Sequence, residues 1–197
     1  MKKLFAVLVV LVLVASVASA QNVWGQGKMS GGVGVELGLP MGSFGDFAGM
    51  GIGGFVLGQY GINNDILGTV QIGYTSYLKK SVANVYGVNV DNSASIVPVV
   101  IGAKYNLSKY VTPGFYGMAQ LGEYFFSTTV SSPATTVTYY GVTVPVPAQS
   151  VSGSTSEFIF DIGVGYHIGN NIDASVKYVL NSDVTNLAIN VAYVMPL

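Results

Sequence analysis

Five charged side chains sit inside apolar, alternating sequence: Glu36, Lys104, Glu123, Asp161 and Lys177. A charge in such surroundings needs a counter-charge or water, so the chemistry on offer is ion pairing or, if hydrated, an ion path. Asp161 and Lys177 lie on the two arms of EFIFDIGVGYHIGNNIDASVKYVL, residues 157–180. His167, the only histidine, is six residues from Asp161, about 20 Å along an extended strand and too far for a Ser–His–Asp relay. Asp173 faces His167 across the turn, but only Ser175 is near, so the group does not point to catalysis. One His and scattered carboxylates make no metal cluster, and without Cys there is no thiol chemistry. Gly49, Gly51 and Gly54 match a dinucleotide-binding spacing, yet no helical period follows them. No catalytic, metal or cofactor-binding residue is assigned, no cofactor is expected, and the chain reads as a non-enzyme.

The elements that carry these charges alternate with period two. In residues 157–180, Phe158, Phe160, Ile162, Val164, Tyr166 and Ile168 alternate with small or polar residues. After Gly169-Asn170-Asn171 the pattern resumes through Ile172, Ala174, Val176, Tyr178 and Leu180. That is a β-hairpin. Pairing Ile168 with Ile172 sets Asp161 opposite Val179, which makes Lys177 its diagonal neighbour, within reach of a lysine side chain. Eight alternating segments are predicted in all, near residues 30–39, 50–62, 66–78, 95–107, 114–126, 157–168, 172–180 and 185–195. Their length suits tilted strands that cross a hydrocarbon layer. Short links at 63–65, 108–113 and 169–171 alternate with long ones at 40–49, 79–94 and 127–156, while the last, 181–184, is short and breaks the alternation.

Composition narrows the setting. Half the chain is hydrophobic and 9% is charged, where a soluble domain carries about 25%. Lys2 and Lys3, the apolar residues 4–14 and Ala18-Ser19-Ala20 form a secretory signal peptide over residues 1–20. Removing its two lysines leaves 8 − 2 = 6 Lys against 9 carboxylates, a charge of −3, which gives nucleic acid no basic surface. Residues 21–29 read as a lead segment and residues 30–197 as one domain. No apolar run there reaches helix-spanning length, and an exported, hydropathic chain of that kind is the compositional trace of a transmembrane barrel.

The second face of each segment decides between barrel types. It is Gly, Ala, Ser and Asn with an occasional charge, which suits a narrow interior, so the greasy face meets lipid. The five charges then point inward and pair as a plug, because an eight-stranded interior is about filled by side chains. Tyr60, Tyr105, Tyr116, Tyr166 and Tyr193 are expected as an aromatic girdle at the short-turn end, and Tyr74, Phe126, Phe158 and Tyr178 at the other. The fifth segment fits least well: turning Tyr116 to lipid also turns Gln120 there, and the reverse exposes Glu123.

With GVELGLPMGSFGDF, residues 34–47, the leader and the eight segments, the chain resembles small eight-stranded outer-membrane β-barrel proteins, the group of the OmpA transmembrane domain and OmpX. The resemblance implies an all-β, antiparallel up-and-down barrel in the outer membrane of a diderm bacterium. Its implied partners are outer-membrane lipid and the outer-membrane assembly machinery. The function expected is structural or surface-binding, through loops that meet an extracellular ligand or surface. A small passive channel is the alternative, and a lipid-modifying barrel enzyme has less support. The uncharged residues 127–156, with Tyr139 and Tyr140 at their centre, are the candidate binding loop, read either as a hairpin extended above the membrane whose edge can add to a partner's sheet or as a disordered, tolerant surface loop.

Overall fold

The computed structural model describes residues 23–83, 89–139, 142–169, 171–181 and 184–197; residues 1–20, expected as a signal peptide, and Tyr140 lie outside them. The strands are β1 (Met29–Met41), β2 (Gly51–Gly61), β3 (Ile66–Ala83), β4 (Asn89–Asn106), β5 (Phe115–Ser132), β6 (Thr135–Tyr139), β7 (Val142–Val146), β8 (Gln149–Ile168), β9 (Ile172–Leu180) and β10 (Thr185–Pro196). A short helix, α1 (Gly42–Phe47), follows β1. Eight strands close an antiparallel barrel in the order β1-β10-β9-β8-β5-β4-β3-β2, while β6 and β7 pair only with each other.

Register fixes the barrel's shape. From Gly38, successive partners are Ala188, Lys177, Gly163, Met118, Lys104, Leu67 and Gly61. Gly61 N–H then donates to Lys28 O, so the circuit returns to β1 at Lys28, a stagger of 38 − 28 = 10 residues. Such stagger obliges the strands to tilt by roughly 35–45°. The line also passes through both Lys177 and Lys104, so the tilt sets the two lysines at different depths.

Alternation is preserved across the barrel. Val35, Leu37, Val56, Ile72, Ile101, Ile162, Val176 and Val191 face out, and Glu36, Gln71, Lys104, Asp161, Lys177 and Asn190 are buried inside. Four strands outrun the lengths expected of them: β3, β4 and β5 have 18 residues and β8 has 20. Residues 79–94 and 127–156 are therefore largely strand. In residues 127–156 the Ser/Thr-rich sequence lacks the apolar alternation of the belt, yet β5 and β8 continue to pair through its two ends. On the β3–β4 side the extension passes an irregularity in register between Tyr77 and Lys80.

The helix within 40–49 was not expected. Gly42 and Gly45 are poor helix formers, and packing holds the turn in place. Phe44 packs edge-on against Tyr77, ring centroids 5.0 Å apart, and nears Phe126 at 6.5 Å. At the opposite end, Asn63 Oδ1 accepts from the Asp65 and Ile66 N–H groups, 2.8 Å each, and shapes the β2–β3 turn. Gly169, at φ +63°, supplies the left-handed residue of the β8–β9 turn.

The fifth strand corrects three expectations. Tyr116 and Phe126 are buried in the lumen and belong to neither girdle, and Glu123 faces outward. The inward set is Tyr116, Met118, Gln120, Tyr124 and Phe126. The reason is hydrogen bonding: Tyr116 and Tyr124 supply donors to buried carboxylates, and Gln120 finds Thr69. Glu123 meanwhile pairs with Phe158, the last apolar residue of the outer face of β8, one outward position below Phe125. At that rim an outward carboxylate costs little, whereas an amide at mid-belt would cost more.

Candidate functional site

The lumen holds two ionic groups. In the first, Lys177 Nζ lies 3.3 Å from Asp161 Oδ2 and 3.7 Å from Glu36 Oε2. β9 places the lysine, β8 and β1 the carboxylates, and Gly163 sits directly across from Lys177. Thr75 Oγ1 donates to Glu36 Oε1 at 2.9 Å, and Tyr124 Oη donates to Asp161 Oδ2 at 3.3 Å. All three charged groups are buried, and two carboxylates share one ammonium. A buried charge needs a partner and filled hydrogen bonds together, and most of both are present here.

The second group lies toward the short-turn end. Asp173 on β9 accepts from Lys104 on β4 and from the Tyr116 hydroxyl on β5. Lys104 Nζ also stands 4.6 Å from the centroid of the Tyr116 ring, a cation–π distance. His167 pairs with Asp173 across β8–β9, but its Nδ1 is 3.9 Å from Asp173 Oδ2, beyond hydrogen-bonding distance. Asp173 is thus engaged by an ammonium and a phenol, and no nucleophile is aligned on His167. The Tyr116 ring needs Gly165, its partner on β8: a Cβ there would lie 2.2 Å from the ring.

Apolar layers close both ends. At the long-strand end, Phe44, Tyr77, Ile96, Tyr124, Phe126, Ile159 and Val184 form one cluster. At the short-turn end, Val23 packs with Phe55, Leu57, Leu67, Ala192 and Val194, and Trp24 stacks edge-on to His167 at 5.7 Å. Between the ionic groups lies a cavity of about 10 Å³, room for about one water. A larger depression of about 460 Å³ opens beneath Trp24, Asn106, Pro113 and Gly169.

Of the charges chosen from sequence, Glu36, Lys104, Asp161 and Lys177 are brought into the two lumen groups; Glu123 is not. Asp173, Tyr116 and Tyr124 were missed as members. Asp173 had been noticed only as the neighbour of His167, yet its face parity on β9 is that of Lys177. Tyr60, Tyr105 and Tyr166 stand exposed on the outward face near the short-turn end, with Tyr193 half-buried. Tyr74 and Phe158 are exposed toward the other end, and Tyr178 is half-buried. Tyr139 ends β6, where it pairs with Val142.

Outside the lumen, the register of β5 with β8 runs unbroken from Phe115–Tyr166 to Ser132–Gln149. β8 meets β9 only from Phe160 onward. Among the described residues, 149–156 therefore pair on one side alone, and every one of them is exposed.

Solved structures share the shape of this barrel. The attachment invasion locus protein Ail of Yersinia pestis is 18% identical with a TM-score of 0.53, over 86% of this chain and 99% of that one. The same protein in complex with the heparin analogue sucrose octasulfate matches at 15% identity and a TM-score of 0.52, with the same coverage. No curated protein matches the sequence. The model of the outer membrane protein beta-barrel domain matches residues 5–194. With its closed eight-stranded barrel and outward apolar belt, the chain belongs to that family and is a barrel of the Gram-negative outer membrane.

Proposed function

We propose that the protein is a non-conducting barrel that acts at the cell surface through the strands rising beyond its membrane belt. The short-turn end, with both termini, is periplasmic, and the extended β3, β4, β5 and β8 face the exterior. One observation carries the reading: the uncharged β5–β8 ribbon continues past the belt and leaves residues 149–156 of β8 as a one-sided edge. An unpaired edge offers backbone N–H and C=O groups to a partner's strand, and no lysine or proline blocks this one. The filled lumen supports the same role, because ion pairs and apolar layers leave no hydrated path for solute.

The heparin analogue seen with Ail makes sulfated polysaccharide one ligand to compare. The described outer part of this chain is poorly suited to it. Its charged residues are two lysines, Lys79 and Lys80, against three carboxylates, Asp46, Asp91 and Glu157, and Lys80 Nζ donates to Gly45 O at 2.6 Å. A partner bound through backbone pairing fits the chemistry better than a polyanion.

The test uses the full protein in liposomes and on cells. Wild type should pass no small sugar in a swelling assay, while Ser152→Lys/Ser154→Lys should leave the barrel heat-modifiable but abolish surface binding. Steady swelling in the wild type would favour the channel alternative, and unchanged binding by the double variant would exclude the β8 edge.

A further inference from the structure

The midpoint of the lumen is built to hold a single small neutral molecule. Gln71 on β3, Gln120 on β5 and Asn190 on β10 converge on the cavity of about 10 Å³ between the two ionic groups. All three side chains are more than nine-tenths buried. Gln120 Nε2 is directed to Thr69 Oγ1 at 3.4 Å, which leaves its oxygen to the cavity. Gln71 Nε2, Gln120 Oε1 and Asn190 Oδ1 have no hydrogen-bond partner within the protein. One donor and two acceptors thus face the same space. Leaving three such groups unsatisfied in a dry interior would cost several hydrogen bonds' worth of desolvation.

We propose that this cavity binds one water molecule, which accepts a hydrogen bond from Gln71 Nε2 and donates to Gln120 Oε1 and Asn190 Oδ1. The stoichiometry is that of water, with two hydrogens to give and a lone pair to receive. The volume is that of one water. A monovalent cation fits poorly: it would meet the Gln71 N–H donors, and the Asp173 carboxylate that lines the same cavity is already paired with the Lys104 ammonium. Phe55, Leu57 and Met118 form apolar walls that keep the water from exchanging along the barrel axis. The molecule therefore completes the lumen between the two ion-paired layers and belongs to the fold.

The experiment is water-to-protein magnetisation transfer by NMR on the protein in nanodiscs. Long-lived cross-peaks are expected from water to the side-chain amide protons of Gln71 and Gln120. Ala192→Leu projects a larger side chain from the cavity wall without altering a polar group, and should remove these peaks. Gln120→Met, of similar length, should weaken them and serves if the first variant does not fold. Absence of the cross-peaks in the wild type, or their persistence at full strength in a folded variant, would overturn the proposal. Dependence of the peaks on whether sodium, potassium or caesium is the buffer cation would also overturn it, in favour of an ion.

Discussion

Lys177→Met is the sharpest test of the lumen. The ammonium is fully buried and lies 3.3 and 3.7 Å from two carboxylates. At an effective dielectric constant of about 20, the two attractions are worth about 5 and about 4.5 kcal/mol. Those figures are upper bounds, because burying the ammonium itself costs several kcal/mol. Methionine fills a similar volume, so little is lost to a cavity. What remains is the penalty of leaving Asp161 and Glu36 buried without a cation, about 3–5 kcal/mol by analogy with broken buried pairs. Guanidinium unfolding in detergent, followed by the fluorescence of Trp24 and by the boiled-to-unboiled gel shift, should show a loss of that size. Adding Asp161→Asn and Glu36→Gln to Lys177→Met should return most of it, since replacing a whole ion cluster by neutral groups is often near neutral. A loss below about 1 kcal/mol in the single variant, with nothing recovered in the triple, would refute the claim that this cluster is an interdependent unit.

Three further outcomes follow from particular residues. Gly165→Val should displace the Tyr116 ring and destabilise the barrel by about 1–3 kcal/mol or more, and Gly165→Val/Tyr116→Ala should lose less than the two single changes combined; additive losses would deny the contact. Single cysteines at Glu123 and Gln120 should differ in detergent-free vesicles, with Glu123→Cys reacting with a membrane-soluble maleimide and Gln120→Cys protected; equal labelling would reverse the fifth strand. In the short turns, the Asp65 carboxylate 3.0 Å away raises the Lys109 ammonium above its ordinary value of 10.5, by hydrogen bond first and by charge second. A raised value means the pair's contribution is complete below 10.5 and fades only as pH climbs through the higher folded value, so Asp65→Asn should lower the Lys109 titration midpoint by NMR and cost at pH 7 only the small worth of an exposed pair.

How much of this was legible depends on what each signal encodes. Period two separates the residues of a strand into two faces, and where one face is uniformly apolar the inside follows at once. That was enough for β1, β3, β4, β9 and β10, and for the hairpin register that makes Lys177 the diagonal neighbour of Asp161. It was not enough for β5, where each face carries one misfit, Gln120 on one and Glu123 on the other. The deciding facts there are non-local. Tyr116 needs the gap at Gly165 and supplies a proton to Asp173, 57 residues away. Tyr124 answers Asp161, 37 residues away. A strand read alone cannot weigh donors that its neighbours lack. The outer parts of β3 and β4 fall within residues 79–94, which read as a loop because their sequence lacks the apolar alternation of the belt, whereas the β5–β8 extension falls within residues 127–156, where a hairpin above the membrane is one of the two readings the sequence allows.

These two failures share a cause, and it bears on how the barrel divides its work. Within the belt, the inward face is selected by mutual need: the buried charged side chains Glu36, Lys104, Asp161, Asp173 and Lys177 are each matched to another strand's, so change at one position is paid for at a second. Lys104, Asp173, Tyr116 and Gly165 form one such set, and Lys177, Glu36, Asp161 and Tyr124 another. Beyond the belt, residues 149–156 answer only to the backbone of β5, and their side chains are free of the interior. A binding surface placed there can vary without unsettling the ion-paired lumen, whereas one built inside could not. That separation supports the proposal that the outer ribbon, and not the more richly charged interior, meets a partner.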